Sequence, residues 1–396
     1  MHSRNSWLPV LREDWKNGGF GLYLHWPFCA AKCPYCDFNS HVAREIDQTR
    51  WRNAYLGEID RYADAFCDRV LGSVFFGGGT PSLMDPENVA AIMERIRKRW
   101  PVANDLEVTL EANPGSVEAG RFRAFAAAGI SRVSLGVQAL NDADLRRLGR
   151  LHSVAEAEKA LDVAKTHFNR VSFDLIYARQ HQTLEGWRDE LRRALDMADD
   201  HLSLYQLTIE DGTGFGRRHA EGTLRGLPGN DLAADMYLET QEICEATGLG
   251  AYEVSNHAKP GAESRHNLIY WRYGDYIGIG PGAHGRVTRA GQRYATETWL
   301  QPERWLNEAE GGQTERFITS LSPGTQAGEY LLMGLRIREG IDMERFGALN
   351  GAPLDEDCVQ HLEEIGMLKR RGTRLMATRQ GVSVLNAVIT QLLPDK

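Results

Sequence analysis

From Gly21 onward, short runs of β-branched and aromatic residues alternate with amphipathic stretches. The runs are GLYLHW (21–26), VLGSVFFGG (70–78), LEVTLEAN (106–113), RVSLGVQA (132–139), RVSFDLIYA (170–178) and HLSLYQLT (201–208). Between them apolar residues recur at helical spacing. Over 86–100, Val89, Ile92, Met93 and Ile96 share one face while Glu94, Arg95 and Lys98 lie off it. Six repeats of strand then helix predict parallel strands with right-handed crossovers, and periodicity alone leaves a doubly wound sheet and an incomplete barrel both open. After Thr208 the run EDGTGFGRRHAEGTLRGLPGND predicts an irregular loop, followed by a helix over 231–247. The division expected is an N-terminal extension (1–20), an α/β core (21–250), a connecting region rich in Gly, aromatics and His (251–322), and a small C-terminal α+β domain (323–396). The last has short helical patterns (AGEYLLMGLRI, EDCVQHLEEIG) and closes in a hairpin (LKRRGTRLMATRQG), somewhat like a winged helix.

Composition narrows the function classes. The 396 residues are 42% apolar and 25% charged, ordinary values for a folded globular chain. A net charge of −8 repels polyanions, so no nucleic acid partner is expected, and Lys369, Arg370 and Arg371 read as a solvated face. No stretch approaches the ~20 apolar residues of a membrane span, and the first thirty residues lack an apolar signal core, so a cytoplasmic protein is expected. Of six cysteines, three crowd into CAAKCPYC; Cys67, Cys244 and Cys358 are scattered and read as buried small hydrophobes.

Cys29, Cys33 and Cys36 have the spacing C-x3-C-x2-C directly after a predicted strand, which brings three thiolates to one loop. Three protein ligands on a four-iron cluster leave the fourth iron open. The competing reading is a Cys3His zinc site completed by His41 or His25. The next strand ends in FFGGGTPS, where Gly78 and Gly79 let the backbone approach a ligand and offer amides and carbonyls to an amino acid. Glu111, Gln138 and Asp174 stand at or near the ends of the third, fourth and fifth strands, the ligand-binding face of parallel α/β folds.

A strand, then C-x3-C-x2-C with Tyr35 before the last Cys, then GGGTP, resembles the radical SAM proteins, and over about 21–381 the chain is similar to the branch typified by oxygen-independent coproporphyrinogen III oxidase. That resemblance implies a partial parallel (β/α)6 barrel holding a [4Fe–4S] cluster on the three cysteines. It further implies S-adenosylmethionine contacts from Glu111 (LEANPG), Gln138 (SLGVQ), Arg150 (LGRLHS) and Asp174 (FDLIYA), with Tyr23 and Thr80 at further contact positions. The loop after DLIY departs from the branch: where relatives read like G-L-P-G-Q-T, this chain has Ala178 to Thr183 as ARQHQT. Two features set it apart from true oxidases, which carry a fourth motif Cys and a longer leading segment. Here Phe38 stands at that position and about twenty residues precede Gly21, as in the HemW-type haem chaperones. EVSNHAKPGAESRHNLIYW is similar to their S-N-x-A and H-N-x-x-Y-W elements. His266 and Tyr270 would share a helical face, making His266 the candidate haem ligand, with His257 and His284 as rivals. The G-x-G-x-x-G within GIGPGAHG lacks a strand-to-helix context and reads as a structural loop leading into a hairpin. The function expected is binding of haem and its delivery to acceptors such as respiratory enzymes, with peripheral contact to membrane-bound acceptors. The alternatives are porphyrinogen decarboxylation by a radical enzyme and a non-catalytic iron–sulfur or zinc module.

Overall fold

The computed structural model describes residues 13–393. Strands β1 (Phe20–Trp26), β2 (Leu71–Gly78), β3 (Val102–Ala112), β4 (Arg132–Gln138), β5 (Arg170–Tyr177) and β6 (His201–Gln206) lie side by side in chain order, all parallel. Helices α1 (Gln48–Phe66), α2 (Pro86–Arg99), α3 (Ala119–Ala128), α4 (Val154–His167) and α5 (Leu184–Met197) make the crossovers, and α6 (Asn230–Ala246) follows β6. Side-chain alternation sorts the two faces of the sheet. Leu24, Phe76, Leu110, Val133 and Phe173 are buried in one core with Ile59, Ile92, Phe122 and Leu161 of the helices. Tyr23, Phe75, Glu111 and Asp174, one position out of phase, turn to the inside. Helix starts follow the expected chemistry: Ser153 and Glu156 form a reciprocal capping box on α4, and Asp47 and Thr183 cap α1 and α5.

The sheet continues past Gly250. Strands β7 (Gly250–Ala251) and β8 (Asn256–Ala258) extend the β6 edge antiparallel, while β9 (Asp275–Ile279) joins β1 in parallel and β10 (His284–Arg289), β11 (Gln292–Thr298) and β12 (Glu315–Ser320) follow antiparallel. The result is a twelve-stranded sheet whose end strands, β12 and β7, do not pair with each other: an incomplete parallel barrel with antiparallel margins. The chain between β8 and β9 must cross from one margin to the other, and it does so as helix α7 (Arg265–Trp271), the HNxxYW segment. Glu107 on β3 accepts from the backbone N–H groups of Arg265 (2.9 Å) and His266 (3.4 Å), a carboxylate at the positive end of this short helix.

At the N-terminal ends of β1 and β9 lies a buried charge network. Asp275 pairs with Arg69 (2.7 Å) and Arg293 (3.3 Å) and accepts from the Thr288 hydroxyl (3.0 Å); Asp14 pairs with Arg293 (3.4 Å) and Arg345 (2.8 Å). Arg345 belongs to the C-terminal domain, so the network ties that domain to the barrel. The domain itself comprises α8 (Pro323–Gly334), α9 (Met343–Asn350), α10 (Glu356–Glu364) and a three-stranded sheet of β13 (Ile341–Asp342), β14 (Leu368–Arg371) and β15 (Arg374–Ala377) around Tyr330, Leu331, Phe346, Leu362 and Leu375. It does not close in the hairpin. Two further helices, Arg379–Ser383 and Leu385–Leu392, follow, the second burying Leu385, Val388, Ile389 and Leu392. Residues 1–12 of the expected extension lie outside the described residues.

Candidate functional site

The three motif cysteines occupy the loop leaving β1 above the C-terminal ends of the parallel strands. Each sulfur has a polar hydrogen-bonding neighbour on a different segment. The Thr80 hydroxyl donates to Cys29 Sγ (3.4 Å), Arg150 Nη1 to Cys33 Sγ (3.5 Å), and Ser40 Oγ lies 3.9 Å from Cys36 Sγ. Such donors suit sulfur that carries negative charge, and burial otherwise pushes the Cys29 and Cys36 thiols up. The loop is held by contact with two distant turns: Pro34 O accepts from Phe215 N (2.7 Å), and a Cβ on Gly149, whose φ is +73°, would come within 2.6 Å of Pro34 Cδ. Tyr35, half-buried, packs on Phe215 at 6.3 Å. Neither imidazole of the zinc reading is aimed at the cysteines. The ring of His25 is bonded to Tyr23 Oη and to Asn39 O (both 2.9 Å), and that of His41 to Asn39 Oδ1 (3.0 Å). Among the described residues no group of three or more Cys, His, Asp or Glu side chains closes on a single ion-sized point. The donor set and spacing fit a larger, thiolate-held cluster.

Below the loop the strands deliver a polar layer. Gln138 ends β4 in the left-handed region (φ +73°), at a register shift against β5. The irregularity is braced from the LGRLHS loop: Arg150 Nη2 donates to Gly136 O (2.7 Å) and His152 Nε2 to Val137 O (3.1 Å). Asp174 receives Val137 N (3.1 Å) and Gln138 Nε2 (2.7 Å). Glu111 receives only the Gly78 amide, at 3.2 Å. Desolvation, and then the charge of Asp174, pushes the Glu111 carboxyl from 4.5 to about 7, while desolvation lifts Asp174 to about 6 against the pull of Arg150. Two carboxylates therefore stand near each other with too little positive charge, and the buried Arg150 Nε has no partner. The layer suits a cationic, amino-acid-like ligand.

One expectation about the glycine run is corrected. Its amides are not free for a ligand, because Gly78 N serves Glu111, Gly79 N serves Trp26 O (2.6 Å) and Thr80 N serves Phe28 O (2.8 Å). The last residue of β1 takes the Gly79 amide, the cysteine loop takes that of Thr80, and the Glu111 carboxylate takes that of Gly78. Gly78 is still required there, since at φ +109° a Cβ would sit 2.6 Å from the His25 ring. Thr80 likewise turns its hydroxyl to Cys29. The candidate haem ligand His266 has no free ring nitrogen. His266 lies inside the barrel, stacked on Phe75 (5.0 Å), with Nδ1 on Ser73 Oγ (2.8 Å) and Nε2 on Tyr270 Oη (2.7 Å). Burial holds its pKa at about 3, so it is neutral, but neither nitrogen is available without breaking a bond. His257 is buried on β8, away from this layer. Cys67, expected inside, is exposed because it caps α1 at the surface; Cys244 is buried and Cys358 partly so.

In the loop ARQHQT, Ala178 (φ +56°) and His181 (φ +61°) both occupy the left-handed region without being glycine. Arg179 locks the turn by pairing with Asp144 (3.0 Å) and Glu190 (2.5 Å). GIGPGAHG is structural, as expected: Asn39 Nδ2, just past the cysteines, donates to Pro281 O (2.9 Å) and Leu300 O (2.8 Å). It also carries His284 to a cavity of about 400 Å³ bounded by Tyr23, Glu111, Phe38, Tyr270 and Met333. No pattern in the sequence pointed to that meeting of β10, α7 and α8.

The radical SAM superfamily profile matches residues 23–194, and the HemN C-terminal domain profile matches residues 321–384. The chain is 40% identical to mouse (Mus musculus) radical S-adenosyl methionine domain-containing protein 1, mitochondrial, over 94% of this chain and 87% of that one. It is 36% identical to the heme chaperone HemW of Escherichia coli over 94% and 98% of the respective chains. In fold it matches the solved structure of E. coli coproporphyrinogen III oxidase (HemN) with a TM-score of 0.80 over 99% of this chain and 94% of that one, at 19% identity.

Proposed function

The chain belongs to the radical SAM superfamily, in the branch that includes the HemW haem chaperones, and from that membership we propose that it binds haem and delivers it to acceptor proteins such as respiratory enzymes. The observation that carries the reading is full-length similarity to HemW together with Phe38, exposed at the cavity mouth where oxidases place a fourth cysteine. Cys29, Cys33 and Cys36 hold a [4Fe–4S] cluster, whose open iron supplies an attachment point for S-adenosylmethionine. Thr80, Arg150 and Ser40 stabilise the charged sulfurs. Glu111 and Asp174 receive the positive charge of S-adenosylmethionine, Gln138 and Arg150 fix the Asp174 side of the pocket, and Tyr23 and Tyr35 wall it. The carbonyl groups of the Gly78–Gly79 turn, rather than its amides, face the ammonium. His266 holds Tyr270 in place through its 2.7 Å bond.

No helix among the described residues is long and apolar enough to cross a membrane. We place the protein in the cytoplasm, meeting membrane-bound acceptors peripherally. The test uses protein purified without oxygen and reconstituted with cluster, then given S-adenosylmethionine and reductant. It should bind haem stoichiometrically and pass it to an apo-acceptor while forming no protoporphyrinogen from coproporphyrinogen III. Multiple turnovers of decarboxylation would instead make it an oxidase.

A further inference from the structure

The cavity beside the polar layer has a feature that the S-adenosylmethionine platform does not use. One wall is aromatic: Tyr270 and Trp271 of α7, and Tyr276 of β9, whose ring meets Tyr270 edge-on at 4.4 Å. Met333 of α8 closes the side toward the C-terminal domain, and Phe38 stands exposed at the mouth. A flat apolar macrocycle fits such walls, whereas a small polar metabolite would leave them wet. Into this cavity projects a single histidine whose ring makes no hydrogen bond to any described residue, His284.

The other imidazoles nearby are spent. His25 is bonded at both nitrogens, to Tyr23 and Asn39, and His266 at both, to Ser73 and Tyr270. His284, by contrast, is exposed, and its backbone is fixed as the first residue of β10, paired with Glu297 of β11. A Cβ at Gly278 would lie 2.1 Å from the His284 carbonyl oxygen, so β9 passes directly beneath it and leaves little freedom for the main chain. A rigid backbone bearing an imidazole with no hydrogen bond to any described residue, at the rim of an aromatic cavity, is the arrangement a haem ligand requires.

We propose that His284 is the protein ligand to haem iron, and that haem lies in the cavity between α7, β9 and Met333, against the S-adenosylmethionine pocket. This rests on the haem-binding reading above and assigns its ligand. The HNxxYW helix then contributes the aromatic wall rather than the iron ligand. One consequence is that haem and S-adenosylmethionine share Tyr23 and Glu111 as a common boundary.

The experiment is an anaerobic haem titration of cluster-loaded wild type, His284→Ala and His266→Gln, read by Soret absorbance and electron paramagnetic resonance. Wild type should bind one haem with an imidazole-ligated spectrum. His284→Ala should lose that spectrum and at least ten-fold in affinity, with cluster content unchanged, and added imidazole should restore the spectrum. His266→Gln, which disturbs the Tyr270 wall, should lower affinity at most and still give the imidazole-ligated spectrum. If wild type binds haem and His284→Ala retains both spectrum and affinity, the ligand assignment is wrong while the chaperone reading stands. A wild-type protein that binds no haem overturns the reading and the assignment together.

Discussion

Two clusters of buried charge sit at opposite ends of the same parallel strands, and they differ in whether they are complete. At the N-terminal end Asp14 and Asp275 face Arg69, Arg293 and Arg345, so each carboxylate has at least one guanidinium within 3.4 Å. At the C-terminal end Glu111 has one backbone amide and Asp174 an amide and a carboxamide, while the nearby guanidinium of Arg150 directs its two terminal nitrogens to Cys33 Sγ and Gly136 O. The first arrangement is satisfied by the protein alone and joins two domains. The second leaves carboxylates strained toward protonation, a state a fold does not need and a cationic ligand relieves. Similar side-chain types thus close a structural network at one end and leave an unmet demand for positive charge at the other, distinguished by partner count rather than by burial.

The largest way to break the contrast is at the cysteines. Replacing Cys29, Cys33 or Cys36 by Ser should abolish the broad iron–sulfur absorbance after reconstitution, whereas Ser at Cys67, Cys244 or Cys358 should leave it intact; a full cluster in any of the first three would remove the assignment. Next comes the complete cluster. Asp275→Asn strands Arg69 and Arg293 in the interior and should cost about 3–5 kcal/mol of unfolding free energy in a denaturant titration. A loss below ~1 kcal/mol would mean that the network is not the structural tie it looks like.

The pH dependence sharpens the comparison. Glu111 has a folded pKa of about 7, above its usual 4.5, so its favourable contribution is full below about pH 4.5 and is lost as pH rises through about 7. In the cluster-free protein the unfolding free energy of wild type relative to Glu111→Gln should therefore fall between pH 5 and pH 8. A flat difference would show that the carboxylate is comfortable where it stands. The smallest effect is at the ARQHQT turn. Ala178→Gly relieves a left-handed alanine but loosens the unfolded chain, for a net gain of about 0.5–1 kcal/mol. A loss of stability would mean that the turn is not strained.

The strands and crossover helices were legible because β-branched runs and helical spacing are local properties; all six core strands fall within a few residues of the runs in the sequence. The cysteine loop was legible for the same reason. Three things were not. The consumption of the Gly78, Gly79 and Thr80 amides depends on how Glu111, the end of β1 and the cysteine loop meet at the turn, which no single run encodes. The position of His266 follows from α7 having to cross between the two margins of the sheet, a consequence of topology. The meeting of His284, Tyr270 and Met333 joins segments from three parts of the chain. One miss had a local signal: Leu385, Val388, Ile389 and Leu392 follow a helical period that the hairpin ending overlooked.

The claim that the upper carboxylates are kept for a ligand is tested most directly by titrating S-adenosylmethionine calorimetrically into cluster-loaded Glu111→Gln protein beside wild type. Loss of one charged contact, about 1.5–3 kcal/mol, predicts an affinity roughly ten- to a hundred-fold weaker with iron content unchanged. An affinity equal to wild type would contradict the account and return Glu111 to the ordinary polar residues that end parallel strands.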